Sequence, residues 1–233
     1  LHTTELALII HKVRDDRDPM PFSQLTLLLK SEWGDEWHES FSQFTFSPIS
    51  AASIGQVHSA YDLTNEKLAI KIQYPGVRKS IDSDVDNVGT ILKYSGLLAD
   101  TKNLKDLLDE TKKQLHCETD YLKEADWIDA YQRELENDDN FIIPRVYRNF
   151  TKENILCMSY HNGENIDKFT YLSLQERNYI VSSLIKLTFK EIFELHHVQT
   201  DPNFANYLYQ PESKKIVLID FGATRELPIH IVD

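Results

Sequence analysis

Three oxygen-bearing side chains near the end of this chain can act together only if the fold brings them to one place. They lie in Gln199-Thr-Asp-Pro-Asn-Phe-Ala-Asn206 and, after a short turn-bearing strand pair, in Val217-Leu-Ile-Asp-Phe-Gly222. Asp201 is followed five residues later by Asn206, and an apolar strand then delivers Asp220. The pattern asks for a loop, a hairpin and a strand end packed side by side. It therefore dictates a piece of tertiary structure as well as a chemistry.

That chemistry is charge compensation. Phosphoryl transfer gathers negative charge on oxygens, so a site needs hard oxygen ligands for Mg²⁺ and a carboxylate that orients the attacking hydroxyl or water. Protein kinases use this spacing: a catalytic-loop Asp, an Asn five residues on, and the Asp of Asp-Phe-Gly on the metal. Asp201 would face the nucleophile, while Asn206 and Asp220 would hold metal. Each motif alone is weak, since Asp-Pro-Asn also makes an ordinary turn. Their joint order and the intervening strand give them weight.

Composition narrows the classes further. A chain with 41% hydrophobic and 11% aromatic residues can build a packed core. Its net charge of −12, from 37 acidic and 25 basic residues, argues against nucleic acid as a partner. No apolar run reaches membrane-spanning length, and no signal-peptide pattern opens the chain. The two cysteines, Cys117 and Cys157, lack the CxxC spacing of a zinc or redox site and suggest a reducing compartment. His196 and His197 are adjacent, so on a helix they would diverge by about 100° and serve one metal poorly. They read as core or surface histidines. The start at Leu1, and an end thirteen residues after Asp220, read as a fragment of something longer.

Residues 1 to 47 are helical in pattern, with Leu25, Leu28, Leu29 and Trp33 at helical intervals after the break at Pro19 and Pro21. The period then changes. Gln56–Tyr61 and Lys67–Gln73 alternate like paired strands around a turn at 63–66, which places Lys71 on the second strand. Helical pattern resumes from about Ser80 to Leu98. It restarts at Leu104, with Leu108, Thr111, Leu115, Glu118, Leu122 and Ala125 on one stripe. An acid at Glu118 on that stripe costs stability unless something pairs with it. Phe141–Tyr147 and Asn154–Tyr160 read as strands, His161–Asn165 as a hinge, and Leu174–Val198 as one long amphipathic helix. The fold class expected is α+β: a two-lobed protein-kinase-like domain truncated in its C-lobe. Its parts would be an N-terminal helical extension (1–47), an N-lobe with inserted helices (48–160) and a partial C-lobe (161–233).

A kinase-like reading needs a strand lysine for nucleotide phosphates and a helix carboxylate to fix it. Ala69-Ile-Lys71 fits the first requirement. The carboxylate candidates are Glu118, Asp120 and Glu124. On a helix Asp120 and Glu124 would share a face, whereas Glu118 and Glu124 would diverge by about 120°. Solvated helix charges are the bland alternative for all three. The usual Gly-x-Gly-x-x-Gly phosphate loop is missing. Ser50-Ala-Ala-Ser-Ile-Gly-Gln-Val-His58 stands in its place, and its alanines exclude positive-φ conformations.

These segments resemble the UbiB/ADCK (aarF domain-containing) family of atypical protein-kinase-like proteins, in its coenzyme Q biosynthesis branch. The match is carried by Ala51–His58, Ile70–Val77 around Lys71, Glu118-x-Asp120-Tyr with Glu124-Ala125, and Gln199–Asn206 with Asp220-Phe-Gly-Ala223. The resemblance implies that Lys71 contacts ATP phosphates and pairs with Glu124, that Asp201 is the catalytic-loop acid, and that Asn206 and Asp220 bind Mg²⁺. It assigns Ala51, Ala52 and Ser53 to the nucleotide loop. Glu118 and Asp120 would engage a Lys-x-Gly-Gln segment on an N-terminal extension that folds over the substrate pocket. No Lys-x-Gly-Gln precedes Ala51, so that segment is expected upstream of Leu1; Ser50, where the family usually continues alanine, is a second departure.

The expected function is an ATP-binding, Mg²⁺-dependent atypical kinase or ATPase supporting ubiquinone biosynthesis. ATP hydrolysis or phosphorylation of a small molecule or lipid is favoured over protein phosphorylation. The alternative is a nucleotide-sensing scaffold or chaperone-like lipid-binding pseudokinase. Expected partners are ATP, a lipid or quinone-precursor ligand, coenzyme Q biosynthesis proteins and, through segments outside this chain, a membrane surface. The location would be the matrix side of the mitochondrial inner membrane in a eukaryote, or the membrane-associated cytoplasm in a bacterium.

Overall fold

The computed structural model describes residues 19–52, 54–95, 104–167, 172–201 and 203–228. Its helices are α1 (Phe22–Trp33), α2 (Val77–Ser95), α3 (Leu104–Glu118), α4 (Tyr121–Glu134) and α5 (Leu174–Lys190). Its strands are β1 (Phe41–Phe44), β2 (Ser50–Ala52), β3 (Gly55–Asp62), β4 (Lys67–Gln73), β5 (Phe141–Ile142) and β6 (Ile155–Ser159), followed by β7 (Glu164–Asn165), β8 (His197–Gln199), β9 (Tyr207–Gln210), β10 (Lys215–Leu218) and β11 (Thr224–Glu226). The chain forms two compact units. Of the described residues, one takes in those up to Leu122 with Tyr147–Met158, the other Lys123–Val146 with those from Ser159 onward.

The first unit is built on a sheet of order β1-β3-β4-β6, with β2 added to β3. β4 is paired on both edges, and its residues from Leu68 to Gln73 are all buried, so both of its faces are covered. Leu68, Ile70 and Ile72 alternate onto one face and join Leu25, Leu28 and Leu29 of α1 in the core. The opposite face of the same strand carries Ala69, Lys71 and Gln73. At the rim of this core Trp33, Trp37, Phe41, Phe44 and Phe150 pack ring against ring. Helices α2 and α3 form a second cluster through Ile81, Val85, Leu92 and Leu115.

Three local readings need correction. Phe41–Phe44 lies in a stretch patterned as helix, yet it is a strand paired with β3. The stripe from Leu104 to Ala125 is not one helix. α3 ends at Glu118, Thr119 caps it by donating its hydroxyl to His116 O at 2.8 Å, and α4 begins at Tyr121. Asp120 therefore sits in the break and shares no helix face with Glu124. The helix expected to run to Val198 stops at Lys190, followed by a π-helical turn over Glu191–Leu195 and then β8.

The second unit contains a sheet of order β5-β10-β9-β7 and a two-stranded ribbon of β8 with β11. β9 and β10 are an antiparallel pair, and β10 runs parallel to β5. α5 begins at a capping box, in which Ser173 Oγ accepts from Glu176 N and the Glu176 carboxylate accepts from Ser173 N. It buries Ile180, Ser183 and Leu187. The π-turn ends at His196, which takes a left-handed conformation (φ 57°) that redirects the chain into β8.

Candidate active site

β8 and β11 hold the loop that carries Asp201. Gln199 pairs with Thr224 across the ribbon, and Thr200 donates both its amide (3.2 Å) and its hydroxyl (2.7 Å) to Ala223 O. The loop is closed by its own side chains. Asp201 Oδ1 accepts from Asn203 N at 3.2 Å, and Asn203 Oδ1 accepts from Ala205 N at 3.0 Å, which starts the short turn ending at Asn206. Asn206 is buried, and its Nδ2 donates to Asp201 Oδ2 at 2.8 Å. With the amide nitrogen so used, the Asn206 carbonyl oxygen is the end suited to a cation.

Asp220 reaches the same place from β10. Ile219 N donates to Asn206 O at 3.0 Å, tying the end of the apolar strand to the turn. Asp220 Oδ1 accepts from Gly222 N at 3.0 Å, and Asp220 O accepts from Gln199 Nε2 at 2.9 Å. Asp201, Asn206 and Asp220 are thus joined by direct hydrogen bonds or through one intervening residue. Tyr207 registers the charge they share. Burial, then the carboxylates of Glu191, Asp201 and Asp220, push its phenol up to about 12.

Glu124 belongs to this constellation by a route absent from the sequence reading. It is buried on α4, and its Oε1 accepts from Phe221 N at 3.3 Å, so the helix holds the Asp-Phe-Gly segment directly. Behind it lies a buried polar group the sequence reading missed. Tyr131 donates its hydroxyl to Glu191, sets its ring edge-on to Phe221 at 4.9 Å and packs against the His197 ring. Trp127 lies 5.0 Å from His197 between ring centroids, and His197 Nε2 is 3.0 Å from Glu134 Oε2. Burial raises Glu191 to about 7 against the opposing bonds from Tyr131 and Gln199 N. The available signal was Glu191's place eleven residues after Ile180 and four after Leu187, where the π-turn continues the apolar stripe of α5. His197 is buried and His196 exposed, in keeping with structural roles for both.

Lys71, Glu118 and Asp120 lie in the first unit. Lys71 is buried on β4, and its same-face neighbour Gln73 donates Nε2 to Thr119 O at 2.7 Å. The break between α3 and α4, with Glu118 and Asp120 on either side of Thr119, is therefore fixed to the lysine-bearing face of the sheet. Glu118 is half-buried and accepts a long bond from Gln114 at 3.4 Å.

The alanine segment is a hairpin arm. Ala51 and Ala52 are extended and pair with Gln56 and Gly55 of β3; Ser53 lies outside the described residues. Gly55 is required by close approach, since a Cβ there would fall 2.0 Å from Ile72 O. Gln56 anchors the hairpin inward. Its Oε1 accepts from Met20 N at 3.0 Å and its Nε2 lies 2.8 Å from His58 Nε2, while His58 Nδ1 is 2.9 Å from Thr45 O. Burial holds His58 below its usual range, so the neutral ring donates from Nδ1 to Thr45 O and accepts from Gln56 at Nε2.

Residues 12–233 match the family described as the ABC1 atypical kinase-like domain. Among similar proteins, the mitochondrial atypical kinase COQ8 of Saccharomyces cerevisiae is 38% identical over 95% of this chain and 44% of its own length. The mitochondrial atypical kinase COQ8B of Danio rerio is 37% identical over 96% of this chain and 36% of its own. The chain thus spans less than half the length of these relatives. The structure of Rv3197 from Mycobacterium tuberculosis, in complex with erythromycin, superposes with a TM-score of 0.76 at 25% identity, covering 97% of this chain and 57% of that one. Fold and loop arrangement define an α+β protein of the kinase-like class. Within that class, the chain belongs to the UbiB/ADCK (ABC1) family of atypical kinase-like proteins, in its coenzyme Q biosynthesis branch.

Proposed function

We propose that this chain forms the nucleotide-handling part of an ATP-binding, Mg²⁺-dependent atypical kinase or ATPase that supports ubiquinone biosynthesis. The observation that carries the reading is the bond from Asn206 to Asp201, with Asp220 joined to the same turn through Ile219 and Gln199. A carboxylate and an amide carbonyl are hard oxygen donors that suit Mg²⁺, and the second carboxylate is left to face the nucleophile. When bound, Mg²⁺ supplies neutralisation of the β- and γ-phosphate oxygens.

In this reading Asp220 and Asn206 hold the ion, and Asp201 orients the attacking hydroxyl or water. The bond from Asn206 to Asp201 Oδ2 keeps that carboxylate in one rotamer. Lys71 contacts the phosphates, with Glu124 as the counter-charge the family resemblance implies; a double-mutant cycle on nucleotide affinity tests their coupling. Ala51, Ala52 and Ser53 would form the rigid cover over the nucleotide, and Glu118 and Asp120 the seat of the Lys-x-Gly-Gln extension. The names of the COQ8 relatives support a mitochondrial setting for a eukaryotic source. No helix among the described residues is long and apolar enough to cross a membrane. A lipid or quinone-precursor ligand, coenzyme Q biosynthesis proteins and a membrane surface remain the proposed partners.

Phosphate release by the full-length protein, with and without a quinone-precursor mimic, is the test. Mg²⁺-dependent release that rises with the mimic supports the reading. Nucleotide binding without turnover would favour the scaffold, and no nucleotide binding would refute both.

A further inference from the structure

In the kinase pattern His-Arg-Asp-x-x-x-x-Asn the residue two before the catalytic Asp is a histidine; here it is Gln199. Its primary amide uses both ends at once. Oε1 accepts from Asp201 N at 3.1 Å, and Nε2 donates to Asp220 O at 2.9 Å. We infer that Gln199 is a positioning residue, a two-ended clasp that sets the distance between the Asp201 loop and the Asp220 segment. The inference rests on the nucleotide reading above.

The clasp is supported from behind. Gln199 is the last residue of β8 and is paired to Thr224, so its backbone has little freedom to follow a misplaced side chain. Its N–H also lies 3.5 Å from Glu191 Oε1, the carboxylate that accepts the Tyr131 hydroxyl. Tyr131 in turn packs on Phe221, the residue after Asp220. The amide thus bridges two segments whose far sides rest on one buried group. An amide is suited to the task because it offers a donor and an acceptor without titrating. A carboxylate of the same length keeps the acceptor for Asp201 N but faces Asp220 O with a second acceptor, and so breaks one end only.

The full-length protein carrying Gln199→Glu, Gln199→Ala or Gln199→His separates the possibilities. Mg²⁺ is titrated into each variant with ATP present, nucleotide binding is followed without metal, and amide exchange is followed at Asp201 and Phe221. Loss of a residue that orients metal ligands typically weakens metal affinity about 10- to 100-fold. We expect a loss of that size in Gln199→Glu and Gln199→Ala, metal-free nucleotide binding unchanged, faster exchange at Asp201 in Gln199→Ala, and recovery in Gln199→His, which restores one donor. Metal affinity and exchange equal to the parent in Gln199→Glu and Gln199→Ala would overturn the clasp while leaving the nucleotide reading intact. A parent that binds no Mg²⁺-ATP would instead overturn that reading, and this inference with it. Should Gln199→Ala not fold, Gln199→Glu against Gln199→His decides on the metal titration alone.

Discussion

Replacing Glu191 by Gln should stabilise this protein by an amount that grows with pH. Glu191 is 4% exposed, and burial moves its carboxyl from the ordinary 4.5 to about 7. A folded-state value above the unfolded one means that the native protein binds the extra proton between those two pH values. Stability from this group is therefore fully present below 4.5 and is lost as pH rises through 7. At about 1.4 kcal/mol per pH unit, the rise corresponds to about 3 kcal/mol, an order-of-magnitude figure. Glutamine keeps an oxygen to accept the Tyr131 hydroxyl and carries no proton to lose. Urea unfolding of parent and variant at intervals from pH 5 to 8.5 should give curves close together at the acid end, with the variant ahead by up to that amount at the alkaline end. Other carboxylates cancel in the difference. Parallel curves across the range would refute the assignment of a neutral-range titration to Glu191.

Tyr131→Phe removes the hydroxyl that Glu191 accepts. It should cost about 1–3 kcal/mol, more at pH 8 than at pH 5 because the donor favours the ionised carboxylate; an equal cost at both values would contradict this. Gly55→Ala should destabilise by about 1–3 kcal/mol, since its Cβ would meet Ile72 O, and an unfolding midpoint equal to the parent's would show that β3 and β4 can spread. Asp201→Asn should spare Mg²⁺-ATP binding while lowering turnover, and Asp220→Asn should weaken binding itself; identical defects in titration and turnover would undo the division of roles. ATP with Mg²⁺ at a hundred times its dissociation constant should stabilise the full-length protein by about 2.7 kcal/mol, and an unmoved thermal transition would count against the site.

The site was legible where its logic is local. Asp201 and Asn206 lie five residues apart on one turn, and the apolar strand before Asp220 reads as a strand, so the match to the kinase motif order conveyed their meeting. The helix break at Thr119 was not legible, because neither Gly nor Pro marks it and the apolar period carries from Leu115 across to Ala125. Phe41 and Phe44, three apart, mimic a helical pair. They are strand residues that both reach the core because the pairing with β3 slips between Phe41 and Gln43, adding one residue to β1. Glu191 and Gln199 escaped for another reason. Their roles depend on partners 60 and 21 residues away, Tyr131 and Asp220, which no periodicity reports.

The three tryptophans are divided between the two compact units. Trp33 and Trp37 lie in the ring cluster at the edge of the first unit, and Trp127 lies beside His197 in the second. Intrinsic fluorescence therefore carries a reporter within each unit. A protein with Trp33 and Trp37 changed to Phe would emit from Trp127 alone, and its emission would follow the loosening of the unit that holds Asp201 and Asp220. Comparing its unfolding curve with that of a Trp127→Phe protein would show whether the two units melt as one cooperative body or in sequence.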